Sequence, residues 1–171
     1  MASFGITRSG IWLTIRCLFW AAALPGMVAG YVPWRFVGLR RVALDLTRAN
    51  QLAGLALVAA GVVLLAACVW EFAREGKGTL APPDPPKELV VRGLYRYLRN
   101  PMYVSVSAIL LGEALAAWSR AMLIYWAVFF VTVNLFIIGH EEPFLRRRFG
   151  VSYVRYARRT GRWLPRFRAR P

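Results

Sequence analysis

The stretch QLAGLALVAAGVVLLAACVW at residues 51–70 contains 20 residues and no charge. A helix of that length, with a rise of about 1.5 Å per residue, is about 30 Å long and matches the hydrocarbon core of a bilayer. Three further apolar blocks occur at residues 12–32, 102–118 and 122–139. The sequence therefore predicts an all-α membrane protein, with about four transmembrane helices in a single membrane domain over residues 1–171.

The composition supports this class of protein. Of the 171 residues, 58% are hydrophobic and 18% are charged, and the formal net charge is +15. Soluble domains are typically about 45–50% apolar and about 25% charged. So much apolar surface excludes intrinsic disorder, and two cysteines are too few for a disulfide scaffold. The arginines are accounted for by topology and anionic lipid, so membrane lipids and no nucleic acid are the expected partners.

The first apolar block resembles a secretory signal peptide in one respect, because basic residues precede it and small residues follow its apolar run. We favour an uncleaved helix, since the run is long for a signal peptide. Gly26 and Gly30 also have the spacing of a close-packed helix contact, and we expect them to meet a neighbouring helix. Cleavage of this block stays an open alternative at this point.

Positive charges predict the topology. If all four blocks cross the membrane, the N-terminus, the 71–100 connection and the 140–171 tail share one side and carry 17 Lys and Arg residues, against 5 on the other side. The positive-inside rule places both termini in the cytoplasm. Only Trp118, Ser119, Arg120 and Ala121 lie at the junction of the last two blocks, which predicts a helical hairpin. With 21 arginines and two lysines, a bacterial inner membrane is the expected location.

The polar segments on the expected cytoplasmic side hold the candidate chemistry. The 71–100 connection contains four prolines between Pro82 and Pro86, which predicts a stiff, extended stretch. It ends in Arg99-Asn100-Pro101-Met102-Tyr103, where Pro101 suits the first position of a helix. The tail begins with His140 and two adjacent carboxylates, Glu141 and Glu142.

Adjacent carboxylates repel one another unless positive charge meets them. One interpretation is structural, with the glutamates pairing with Arg146 or Arg147 along a helix, and we expect Glu142 to be partly paired with Arg146. The other is functional, with the pair supplying a counter-charge for a cationic ligand. We also predict that the tail from Glu142 to about Arg159 is an amphipathic helix on the membrane surface, which Gly150 interrupts. Its expected inward residues are Phe144, Leu145, Phe149, Tyr153 and Tyr156, and its expected outward residues are Arg146, Arg147, Arg155 and Arg158.

The order of these motifs resembles the isoprenylcysteine carboxyl methyltransferase and phospholipid methyltransferase superfamily of integral membrane methyltransferases. The resemblance covers roughly residues 50–166 and ends in Trp163-Leu164-Pro165. It implies S-adenosylmethionine-dependent methyl transfer to a lipophilic or membrane-embedded acceptor, such as the carboxylate of an isoprenylcysteine-like compound or the amine of a phospholipid. The cofactor would bind between the cytoplasmic ends of the last two spans and the tail helix.

The same resemblance assigns site residues. Arg99 and Glu142 are the catalytic candidates. Arg99 has two alternative roles: it holds an anionic group of the substrate, or it is only a charged anchor at the start of its span. No metal is expected. Many family members have His at the position of Asn100. Because Asn, unlike His, does not titrate near neutral pH, we expect no proton transfer at this position. The cofactor-binding candidates are Lys87, Glu88, Leu89, Val90, Tyr95, Asn100, Pro101, Met102, Tyr103 and Glu141.

Three further positions bear on the acceptor. Prenylcysteine enzymes have an Arg where this chain has Ile137, which weakens the case for a prenylcysteine carboxylate. Glu113 and Asn134 are polar residues within spans and are candidates for a substrate path, although Glu113 is also placed to reach the far interface. The sequence leaves open whether the methyl acceptor is oxygen, nitrogen or sulfur, and what the oligomeric state is.

Two other functions compete with methyl transfer. An NADPH-dependent membrane reductase of the steroid 5α-reductase type has a related arrangement of last spans and tail, but an anionic dinucleotide favours a basic site over an acidic pair. A non-enzymatic membrane scaffold accounts for the arginines and leaves the prolines and the acidic pair unexplained.

The predicted topology is tested by cysteine labelling. In a background of Cys17→Ser and Cys68→Ala, Ser119→Cys should react with an impermeant maleimide from the external side, and Pro171→Cys only after the membrane is permeabilised. Labelling of both positions from one side would contradict the topology.

Overall fold

The computed structural model describes residues 19, 23–39, 45–75, 89 and 91–166. Its principal helices are α1 (Ala49–Glu75), α2 (Pro101–Ala117), α3 (Arg120–Phe136) and α4 (Glu142–Arg159). Shorter elements are a 3₁₀ turn at Gly93–Arg96 and π-helical turns at Met27–Tyr31, Pro33–Val37 and Ile137–Glu141. Across these described residues the chain forms helices and no strand, which confirms the all-α prediction there.

Two helical runs are long and apolar enough to cross a bilayer. They are Ala49–Glu71, of 23 residues, and the continuous run Arg120–Arg159, of 40 residues. Pro101–Ala117 is apolar but shorter. These helices support a membrane protein. A total of four spans stays a prediction, because residues 12–18 and 20–22 of the first block lie outside the described part of the chain.

Helices α1 and α2 approach one another through glycine. A Cβ built on Gly54 would lie 2.5 Å from the Gly112 carbonyl oxygen, and one on Gly112 would lie 2.6 Å from the Gly54 carbonyl oxygen. Seven residues further along α1, a Cβ on Gly61 would lie 2.8 Å from the carbonyl oxygen of Ser105. Small residues permit such backbone contact between helices in an apolar environment. This glycine seam therefore sets the spacing of α1 and α2.

The two helices run antiparallel. The Asn50 side-chain amide, at the start of α1, donates a hydrogen bond of 3.1 Å to the carbonyl oxygen of Leu115, near the end of α2. Trp118 then adopts a left-handed conformation, with φ 47°, and the Ser119 hydroxyl accepts from the Met122 amide as an N-cap of α3. The end of α1, the start of α2 and the end of α3 consequently lie at the same end of the molecule.

The expected packing of Gly26 and Gly30 is wrong, since no described atom lies within 4 Å of a Cβ built on either residue. Among the described residues, the N-terminal segment 23–37 instead contacts α2 and α3 through side chains and a hydrogen bond. Ala29 joins the buried cluster with Val106 of α2, and the Tyr125 hydroxyl of α3 donates 2.8 Å to the carbonyl oxygen of Val28.

Helix α3 continues into α4 through the π-helical turn, and both Glu141 and Glu142 have helical backbone angles. Gly150 bends α4 with φ 53° and ψ −128°, as predicted, because only glycine adopts that conformation readily. Tyr153 and Tyr156, which follow the bend in α4, are buried.

The predicted orientation of α4 is largely confirmed. Phe144 is the exception, because it is exposed and its ring stacks on the outer surface with His140 and Arg148. Leu145 and Phe149 are half-buried. The arginines expected to face outward, at positions 146, 147, 155 and 158, are all exposed.

We predict that Gly54→Ala destabilises the protein, because the added methyl group overlaps the α2 backbone. Overpacking of this kind typically costs about 1–3 kcal/mol. The thermal midpoint in detergent should fall, whereas Gly26→Ala, which meets open space, should leave it nearly unchanged. Equal midpoints for the two variants would show that α1 and α2 do not approach through this seam.

Candidate functional site

The segment before α2 is fastened to the tail helix by hydrogen bonds. The Tyr156 hydroxyl of α4 donates to the carbonyl oxygens of Tyr95, at 2.8 Å, and Leu98, at 3.3 Å. Tyr95 is buried, and this burial raises its pKa well above the ordinary value. Gly93 adopts a positive φ of 52°, and a Cβ there would collide with the Glu71 carboxylate at the end of α1. The end of α1, the segment before α2 and helix α4 thus meet at this point.

Residues 160–163, which we name the strap, fold back along residues 97–100. The Arg99 amide donates 2.8 Å to the Gly161 carbonyl oxygen, and the Gly161 amide donates 3.3 Å to the Tyr97 carbonyl oxygen. The Asn100 side chain donates to the Arg162 carbonyl oxygen at 3.4 Å. A Cβ on Gly161 would overlap the Leu164 carbonyl oxygen, so the strap requires glycine there.

Glu142 lies between two arginines. Its Oε1 accepts from Arg99 Nη1 at 2.8 Å and from Arg162 Nε at 2.9 Å, and its Oε2 accepts from Arg162 Nη2 at 2.8 Å. The Glu142 side chain is only 14% exposed. The hydrogen bond to Glu142 raises the pKa of Arg162. This ion cluster connects the start of α2, the start of α4 and the strap.

The expected pairing of Glu142 with Arg146 is wrong. Arg146 and Arg147 are exposed on the outer surface of α4, whereas Glu142 points toward α2 and the strap. A partner one turn along the helix was the only one that local spacing could suggest. The partners that form are 43 and 20 residues away in the chain.

Glu141 has a different environment from its neighbour. The Tyr103 hydroxyl donates 3.1 Å to its Oε2, and Glu141 is half-buried. Within the described residues no arginine or lysine forms an ion pair with it. A partly buried carboxylate without a counter-charge is unfavourable unless it is hydrogen-bonded or meets a cation. Of the two glutamates, Glu141 is therefore the one available to a positively charged ligand.

The structure brings most of the candidate residues to one place. Those at the start of α2 are Arg99, Asn100, Pro101, Met102 and Tyr103, and they lie beside Glu141 and Glu142. Asn100 is buried and bonded to the strap, and Tyr95 is buried beneath α4. Leu89 is half-buried. Lys87, Glu88 and Val90 lie outside the described residues.

Sequence reasoning missed Arg162, because nothing in the pattern distinguishes it from the other arginines of the tail. Its neighbour Trp163 was noted only as part of a motif. The Trp163 indole donates 3.2 Å to Asn134 Oδ1, and its ring lies 4.7 Å from that of Phe130. Asn134 thus holds the strap against α3. At the other end of α2, Glu113 Oε2 is buried without a hydrogen-bond partner.

Apolar helices long enough to cross a bilayer, with a charged cluster at one end, are typical of a helical membrane protein. The chain belongs to the phospholipid methyltransferase family, whose model matches residues 49–152, more than half of the sequence. The match includes α1, the start of α2 and both glutamates, and it confirms the superfamily that the motif order suggested. Membership implies membrane methyltransferase activity.

One curated relative is a protein of Haemophilus influenzae described as uncharacterized. It is 35% identical over 63 residues, which are 37% of this chain and the whole of that protein. No solved structure matches the chain.

We predict that Arg162→Gln loosens the strap, because Glu142 then retains only Arg99. Loss of a hydrogen-bonded charged partner from a largely buried site typically costs about 1–3 kcal/mol. The thermal midpoint should fall and proteolysis near residue 160 should accelerate. Arg155→Gln, at an exposed position of α4, is the control; if both variants behave alike, the strap does not depend on the ion cluster.

Proposed function

We propose that the protein transfers a methyl group from S-adenosylmethionine to a lipophilic or membrane-embedded acceptor. The observation that carries the proposal is Glu141, a half-buried carboxylate with a tyrosine donor and no arginine partner among the described residues. The neighbouring Glu142 has two arginine partners. The cofactor carries a sulfonium and an ammonium group, so Glu141 supplies the counter-charge that it needs.

The residues present fit the cofactor's amino-acid end. A carboxylate bonded to an ammonium group forms a charge-assisted hydrogen bond, which is about twice as strong as a neutral one. The Tyr103 hydroxyl bonds one oxygen of Glu141 and orients the carboxylate. Asn100, Pro101 and Met102 form the adjoining turn of α2, and Lys87, Glu88, Leu89, Val90 and Tyr95 stay our candidates for the rest of the cofactor by resemblance.

The bound cofactor supplies an activated methyl group, and the protein contributes position and desolvation. Glu141 and Tyr103 fix one end of the site. Arg99 holds an anionic group within it, and Glu142 is a positioning residue that orients Arg99. The apolar surfaces of α2 and α3 adjoin the same end and are suited to a lipophilic acceptor.

The residue at position 137 narrows the choice of methyl acceptor. Ile137 is fully buried, so it offers no contact to a substrate carboxylate at the place where prenylcysteine enzymes have an Arg. The family match to phospholipid methyltransferases adds weight to an amine of a phospholipid over an isoprenylcysteine-like carboxylate. The positive-inside distribution supports a site on the cytoplasmic side of a bacterial inner membrane.

We predict that Glu141→Gln weakens S-adenosylmethionine binding while the protein stays folded. Loss of one partner of a buried charged pair costs about 2–5 kcal/mol, which is roughly 30- to 5000-fold in affinity. Calorimetric titration of purified protein in detergent measures the change. Glu142→Gln is the matched variant, and its main effect should be a lower thermal midpoint, because it leaves Arg99 and Arg162 without their shared carboxylate.

Unchanged affinity in Glu141→Gln would show that the acidic residue is structural. The same preparation also separates the competing functions, since a ligand that binds only the native state raises the thermal midpoint. Stabilisation by S-adenosylmethionine or S-adenosylhomocysteine supports methyl transfer. Stabilisation by NADPH alone would instead identify a reductase, and no response to any of the three would favour a scaffold.

A further inference from the structure

A row of rings that ends in a charge follows the outer surface of the helix where α3 continues into α4. Phe136, His140, Phe144 and Arg148 are spaced four residues apart, which places them on one side of a helix. The centroid of the His140 ring lies 5.2 Å from that of Phe136 and 6.5 Å from that of Phe144. All four residues are exposed. We name them the outer ladder.

Aromatic contacts hold the Arg148 side chain at the end of the ladder. Its guanidinium carbon lies 5.8 Å from the ring centroid of Phe144 and 5.8 Å from that of Phe149, which is within the range of a cation–π contact. Such contacts leave the N–H donors of the guanidinium free for hydrogen bonds to an anion. Within the described residues no carboxylate pairs with Arg148. The protein therefore positions this cation without neutralising it.

The ladder lies at the depth where a bilayer changes from hydrocarbon to headgroups. The continuous helix begins at Arg120, and His140 lies roughly 30 Å further along its axis. That distance is about the thickness of the hydrocarbon core, and headgroups add about 5–8 Å on each side. Helical side chains lean toward the N-terminus, and Arg148 lies over Phe144, about 6 Å beyond His140. The charge of Arg148 is therefore placed in the headgroup layer.

The surroundings of the ladder are apolar on one side and basic on the other. The part of α3 that leads to it exposes Val131 and Leu135. Beyond it, the arginines of α4 are all exposed, and within the described part of the chain none forms an ion pair. They are Arg146, Arg147, Arg148, Arg155, Arg158 and Arg159. An apolar surface that adjoins a surplus of positive charge complements an amphiphile with an anionic head.

We propose that the outer ladder is a binding site for an anionic phospholipid, with Arg148 and His140 at its phosphate and an acyl chain along the apolar surface of α3. This lipid is not the methyl acceptor. Glu141 is hydrogen-bonded to Tyr103 of α2, whereas the ladder lies on the outer surface. The inference requires that α3 crosses the membrane and does not depend on methyl transfer.

The test compares phosphatidylglycerol with phosphatidylcholine of the same acyl chains, titrated into the full chain in a neutral detergent and measured by native mass spectrometry. Phosphatidylglycerol should bind at least about fivefold more tightly. Arg148→Gln should lose most of this preference. Arg158→Gln removes the same charge from an exposed position of α4 outside the ladder, and it should retain the preference.

Phe144→Ala is a second variant, which leaves the net charge unchanged and removes one ring that positions Arg148. It should also reduce the affinity for phosphatidylglycerol. Because Phe144 and Arg148 are exposed, both variants should have the thermal midpoint of the parent when no lipid is added. If one of them fails to fold, the other still decides the question.

Three results would overturn the ladder as a lipid site. The first is equal binding of the two lipids by the parent. The second is an equal loss in Arg148→Gln and Arg158→Gln, which would show diffuse attraction to the basic surface of α4. The third is an unchanged preference in folded Arg148→Gln or Phe144→Ala. Soluble glycerol phosphate, titrated in the same way, should bind far more weakly than the lipid, and equal affinity would show that a free phosphate compound and not a lipid is the occupant.

Discussion

The carboxylate of Glu142 is the interaction on which the charged end of the molecule depends. It accepts hydrogen bonds from Arg99 and Arg162 and thereby joins the start of α2, the start of α4 and the strap. Moving any one of the three elements away would leave an uncompensated buried charge, which is strongly unfavourable. The cluster therefore holds the three elements together. The glycine seam sets the spacing between α1 and α2, the helix that begins at this cluster.

In this arrangement the two adjacent glutamates, Glu141 and Glu142, have different partners. Both oxygens of Glu142 accept hydrogen bonds from arginine. Glu141, the last residue of the π-helical turn, instead accepts a hydrogen bond from the Tyr103 hydroxyl. Turns of this type occur frequently at functional sites. The charged end therefore has one carboxylate without an arginine partner among the described residues, beside helices whose outer surfaces are apolar.

The sequence predicted what depends on local pattern. The apolar runs gave the helices, Gly150 gave the bend in α4, and the order of short motifs gave the family. Contacts between distant residues were not predictable, because an isolated sequence does not specify which arginine of many returns to Glu142. Gly26 and Gly30 had the spacing of a packed pair, yet Gly54 and Gly112 form the contact, because spacing alone does not say which helices meet. Phe144 faces outward, where its ring contacts His140 and Arg148.

The proposed transfer of a methyl group from S-adenosylmethionine to a membrane-embedded acceptor is tested most directly by isotope labelling in membranes. Membranes that contain the protein, incubated with cofactor bearing a deuterated methyl group, should yield a lipid whose mass increases by one labelled methyl group. Membranes that contain Glu141→Gln at the same level should yield little of it. Equal labelling with the protein, with the variant and without either would contradict the claim.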